Sequence, residues 1–166
     1  MALTVEDGTG LSAAESYISV ADADTRHTNN GSTLWPGSLT TAEKEQALRR
    51  ATIYMEQAYR LRWKGTRLLR AQALSWPRYG AIVDGWDIDS NVVPSDVANV
   101  CADLALKAAA GDLAPDLERG IKREKVGPLE TEYDTFSPQA KRYPSIDMAL
   151  GPYLKGGAAN AFLVRA

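Results

Sequence analysis

Along the chain three segments read as helices, the second and third from apolar positions recurring at helical spacing. The first is short. From Ser19 to Asn30 a capping-type serine, early carboxylates at Asp22 and Asp24, later Arg26 and His27, and an Asn-Asn-Gly stop predict one helix. The second opens at Thr40 or Thr41, with Glu43 and Glu45 near its positive end, and runs to about Tyr59. Leu48, Ala51, Met55 and Ala58 form its buried stripe, while Arg49, Arg50 and Glu56 look outward. The third starts behind Pro94, carries Val97, Val100, Cys101, Leu104, Leu106 and Ala108, and ends near Gly111. Its apolar content predicts the central, most buried helix.

Between the second and third helices, Arg60 to Val93 shows no long helical period and is broken by Gly65, Pro77, Gly80 and Gly85. This predicts a long irregular stretch with a short helical turn around Arg70 to Leu74. Trp63, Leu68, Leu74, Trp76, Ile82 and Trp86 are the residues available to anchor it. After Pro115, Ile121 to Val126 and Leu129 to Tyr133 flank Gly127-Pro128 and read as an exposed two-stranded ribbon. A last short helix is predicted over Ser145 to Leu150. The end of the chain, small and flexible around Gly156 and Gly157, carries Phe162, Leu163 and Val164, apolar residues that need a partner. The fold class is therefore mainly α: a small helical bundle with a long irregular loop and a two-stranded β-ribbon arm. One domain is expected over residues 1–155, with a helical core at about 15–112, the ribbon at about 119–135 and the short helix at about 145–150, followed by a flexible tail at 156–166.

Composition narrows the function classes. A chain of 166 residues supports one modest core, and it has no apolar run of transmembrane length. Glu6 and Asp7 stand where an export signal needs basic residues, so export is not expected. Cys101 is the single cysteine, which excludes an intrachain disulfide and a site of several thiolates, and fits a reducing compartment. The net charge of -2 hides a segregation. Arg60, Arg62, Lys64, Arg67, Arg70 and Arg78 fall in a stretch without Asp or Glu, and from Asp84 to Glu118 eight acidic residues face Lys107 alone. Such blocks satisfy each other within a monomer, or suit a repeated contact between neighbouring subunits.

Candidate chemistry is sparse. A nucleophilic triad needs a histidine base, and His27, the only one, reads as an ordinary surface or capping residue. Asp22 and Asp24 do not share a helical face with it well enough to hold a metal. Asp87-Ile88-Asp89-Ser90-Asn91 begins like a calcium loop, but Val92 replaces the turn glycine and Ala98 the closing Glu. There is no phosphate-cradling glycine loop. No catalytic, cofactor or metal residue is assigned, and no enzymatic activity is expected. The best binding candidate is the basic block interleaved with Tyr59, Trp63, Trp76 and Tyr79, in which cations track phosphates and aromatic faces stack on unpaired bases. Against it stands the preferred reading, tryptophans in the core with the cationic heads solvated around them.

Ser16 to Asp24 (SYISVADAD), Arg62-Trp63-Lys64-Gly65, Gln72 to Arg78 (QALSWPR), Val93-Pro94, and Glu124 to Pro128 (EKVGP) ahead of Glu130 to Tyr133 occur in this order. Together they resemble a phage family often labelled DnaT-like single-stranded-DNA-binding protein, whose members look like head-to-tail adaptor or head-completion proteins. The resemblance spans about Val5 to Leu154. It implies a helical-bundle subunit in a ring of about twelve copies between portal and tail, through which double-stranded genome DNA passes without being read. It also implies as partners the portal protein, a downstream tail or neck protein and other copies of the chain, with no membrane. The implied place is the virion neck, after synthesis in the bacterial host cytoplasm. A tail that reaches into the portal would give Phe162, Leu163 and Val164 their partner. The alternative is a replication-type single-stranded-DNA-binding protein.

Overall fold

The computed structural model describes residues 2–116, 123–126, 129–132 and 141–156. The helices are α1 (Val20–Asn29), α2 (Leu34–Ser38), α3 (Thr41–Tyr59), α4 (Ser95–Ala110) and α5 (Pro144–Leu150), followed by a 3-10 turn at Gly151–Tyr153. Three two-stranded antiparallel sheets accompany them: β1 (Thr66–Arg67) with β2 (Arg78–Tyr79), β3 (Ile82–Val83) with β4 (Trp86–Asp87), and β5 (Arg123–Val126) with β6 (Leu129–Glu132). The fold is mainly α with a β-ribbon. No helix among the described residues is long and apolar enough to cross a membrane.

The helix ends follow local chemistry. Ser19 caps α1 by accepting from the Asp22 N–H, and Thr40 and Glu43 form a reciprocal capping box at the start of α3. The core is built on the packing of α3 against α4, with α1 and α5 laid on α4. Leu48, Ala51 and Met55 of α3 meet Val97, Val100, Cys101 and Leu104 of α4, and α5 adds Ile146 and Leu150.

Several expectations need correction. Ala58 is exposed and Tyr59 is buried in its place, because the end of α3 turns toward α5 and the Tyr59 hydroxyl donates to Asp147 Oδ1 at 2.8 Å. Glu56 does not look outward. Its carboxylate accepts from the Tyr17 hydroxyl, from the Ser75 N–H at 2.9 Å and from Ser75 Oγ at 2.7 Å, pinning the long loop to α3. Residues 70–74 form no helix, since Gln72 is buried and its side chain bonds to loop backbone, accepting from the Leu69 N–H and donating to the carbonyls of Leu74 and Pro77. Helix α2 was not foreseen. Its Trp35 is fully buried and donates to Asp24 Oδ1 at 2.7 Å, a tertiary anchor without local periodicity. The ribbon lies at Arg123–Val126 and Leu129–Glu132, with Val126 opposite Leu129; the flanking positions of the expected 119–135 span fall outside the described residues.

His27 is also corrected. It is 2% exposed, its Nε2 lies 3.1 Å from the Ala102 carbonyl, and its ring lies tilted against Trp35 with centroids 4.9 Å apart. The helix end that carries it packs on α4, so this face of α1 is core. Burial depresses the imidazole below its ordinary value, although Asp103 and Asp24 nearby work in the other direction. The folded state thus binds its proton less readily than the unfolded chain. Stability should fall as pH drops through the unfolded-state value of about 6.5, above the carboxylate range. Thermal melts between about pH 7.5 and pH 5.5 should show this slope in the natural chain and a flatter one in His27→Gln.

Candidate functional site

The basic block and its aromatic residues sit where the long loop closes on the end of α3. Trp63 and Trp76 are both fully buried and meet edge to face at 5.8 Å. Tyr153 stands edge to face on Trp76 at 6.0 Å, and Tyr59 lies tilted against Trp63 at 6.0 Å. Burial and the hydrogen bond to Asp96 push the Tyr153 hydroxyl up to about 12. A bridge between Trp63 and Leu154 and the bond from the Lys64 N–H to the Tyr153 carbonyl hold this cluster shut. Neither indole face is open to a base.

The six cations have different fates. Arg78 is buried and its guanidinium donates to three backbone carbonyls: Lys64 at 2.6 Å, Ser75 at 3.0 Å and Gly65 at 2.7 Å. Burial lowers its proton affinity, so the charge is retained at some cost and fastens the loop. Gly65 is required beside it, because a Cβ there would stand 2.4 Å from the Tyr79 carbonyl oxygen. Lys64 reaches along the loop and donates to the Ile82 carbonyl at 3.0 Å. Arg67 is half-buried on β1, opposite Arg78. Arg60, Arg62 and Arg70 are exposed, with Arg62 lying over the Tyr59 ring at 5.7 Å.

Of the four aromatic residues interleaved with the basic block only Tyr79 is exposed, and Trp86, outside that set, is exposed with it. Tyr79 on β2 is 69% exposed and Trp86 on β4 is 78% exposed, with Ile82 between them at 51%. Leu74 is buried as expected of an anchor, but Ile82 and Trp86, also expected as anchors, project while Ala81 and Val83 face the core in their place. The signal for this was present in Val83-Asp84-Gly85-Trp86. Asp84 and Gly85 both take positive φ, 53° and 85°, as a two-residue hairpin turn demands.

Among the described residues no ion pair joins the opposite charge blocks. The ion pairs there are Arg26 with Asp103, Lys44 with Asp24, and Arg49 with Glu15 and Glu45. The residues weighed for metal binding are dispersed: Asp22 bonds to Ser19, Asp24 is held by Lys44 and Trp35, and His27 is in the core. Phe162, Leu163 and Val164 lie outside the described residues.

A family model described as "Putative DnaT-like ssDNA binding protein" matches residues 1–166. The chain belongs to this family. No curated protein and no solved structure matches it. Three of the segments that carry the resemblance to the DnaT-like family, Ser16 to Asp24, Arg62 to Gly65 and Gln72 to Arg78, supply contacts that hold the fold together. Tyr17 and Ser75 meet on Glu56, Ser19 caps α1, Trp63 and Trp76 form the core, and Arg78 ties three carbonyls together.

Proposed function

We propose that this member of the DnaT-like family works by surface association, as a head-to-tail adaptor subunit that forms a ring between portal and tail of a tailed phage. The observation that carries this reading is the burial of Trp63, Trp76 and Arg78. Three of the four aromatic residues of the basic block, Tyr59, Trp63 and Trp76, and one of its six cations are thereby used in the core, and the surface keeps charges and apolar groups that do not satisfy one another. The ribbon supports it too. A two-stranded hairpin is marginal alone in water, and β5 and β6 hydrogen-bond only to each other among the described strands. Phe162, Leu163 and Val164 then serve as the portal-docking end. Mixing the full chain with portal rings should raise the sedimenting mass, and deletion of residues 159–166 should abolish this without lowering the melting temperature. Docking that survives the deletion would reject the role of the tail.

A second reading, single-stranded DNA binding, is favoured by the family description. It requires stacking surfaces other than the buried indoles, and Tyr79, exposed on β2 opposite Thr66, is the aromatic residue of the basic block able to supply one. A short oligonucleotide titrated at two salt concentrations separates the two. Tight binding that weakens steeply with salt and is lost in Tyr79→Ala supports this second reading. Weak or absent binding supports the adaptor, whose lumen must not grip the duplex.

A further inference from the structure

Two apolar knobs at one end of the molecule stand in collars of opposite charge. The first is Trp86, 78% exposed on the hairpin formed by β3 and β4. Asp84 and Asp87 flank it, Asp89 follows, and all three are exposed. The tight Asp84-Gly85 turn presents this tip on a stiff loop rather than a loose one. The second knob is Leu61, 89% exposed just beyond α3, between the exposed Arg60 and Arg62. The backbone of the exposed Lys155 lies alongside, its N–H donating to the Arg62 carbonyl at 2.6 Å.

The segment Tyr153 to Lys155 runs between the two knobs. Its Tyr153 carbonyl accepts from the Lys64 N–H, and its Lys155 N–H reaches Arg62. On the other side Lys64 Nζ holds the Ile82 carbonyl of β3. The collars are therefore near each other, yet among the described residues none of the three carboxylates pairs with Arg60 or Arg62. A nucleic-acid strand would find Trp86 guarded by three negative charges. A basic apolar patch would find it complementary, and this chain carries such a patch itself.

We infer that the knob at Trp86 seats against Leu61 of a second copy of this chain, with Asp84 and Asp87 set against Arg60 and Arg62 of that copy. The contact deepens the assembly reading above and rests on it. An indole at the centre of a small contact supplies most of its binding energy, and the charge collars fix its register and exclude wrong partners. Since each copy offers both halves, two copies can make the contact reciprocally, and a copy that makes only one contact keeps a free half for the next.

The test is a charge exchange followed by sedimentation of the full chain over a range of concentrations. The natural chain should associate as concentration rises, less so at high salt. Asp84→Arg with Asp87→Arg, and separately Arg60→Glu with Arg62→Glu, should each weaken association by at least about tenfold while leaving the melting temperature unchanged. Mixed one to one, the two variants should associate again, since every contact in the mixture joins opposite charges. Trp86→Ala should weaken association without rescue by either partner. Variants that associate like the natural chain, a mixture that stays dissociated, or a natural chain that remains monomeric throughout would each overturn the contact. Portal docking, measured separately, would then decide the adaptor reading by itself.

Discussion

Replacing Trp76 by alanine should destabilise the protein by about 4 kcal/mol, the cost of removing a large buried aromatic and leaving a cavity its neighbours cannot close. Trp76 is fully buried and contacts both Trp63 and Tyr153 edge to face, so its loss uncouples the loop from the segment that follows α5. A domain of this size has about 5–15 kcal/mol of stability in total, so much of the margin would go. Trp86→Ala is the control. At 78% exposure it should shift the unfolding midpoint by less than about 0.5 kcal/mol. Urea unfolding of the two variants side by side checks both. Equal midpoints would mean that Trp76 is free to stack on a ligand.

The second large effect is expected at Arg78. Alanine there removes the only side chain that donates to the Lys64, Gly65 and Ser75 carbonyls together, two of which lie in the turn before β1. Burying those oxygens without donors should cost about 3 kcal/mol. Arg78→Lys should recover only part of it, because a single ammonium cannot span three acceptors held by a planar fork of N–H groups. Denaturant midpoints for the two variants, with far-ultraviolet spectra to show that the helices persist, measure the difference. If Lys restored full stability, the guanidinium would be acting as a charge alone.

What the sequence made legible was local. The Ser19 cap, a threonine cap at Thr40 or Thr41, the glycine after α4 and the apolar period of α4 are all written within a few residues of the elements they define, and the structure places them accordingly, with Thr40 the cap of α3. What escaped depends on distant partners. His27 reads as polar until Ala102, 75 positions away, supplies its carbonyl, and Glu56 reads as solvent-facing until Ser75, 19 positions on, turns it inward. The small strands of the loop are two residues each, too short for an alternating pattern to show. Their positions are set by cross-chain bonds such as Lys64 to Tyr153.

The candidate site divides the same way. Charge segregation was visible, because it is a property of composition over a window. Which cations project was not, because Arg78 and Arg70 look alike in sequence and differ only in whether three carbonyls converge on the side chain. The choice among tryptophans followed from packing: Trp63 and Trp76 had equal claims with Trp86 as anchors, and only the tight turn at Asp84-Gly85 sets Trp86 apart.

The proposed adaptor role is tested most directly by looking for the chain in finished particles of a tailed phage whose genome encodes it. Mass spectrometry of purified virions, with image reconstruction of the neck, should find multiple copies arranged as a ring against the portal. Particles that lack the chain, while the purified protein binds single strands tightly in moderate salt, would contradict the adaptor role outright.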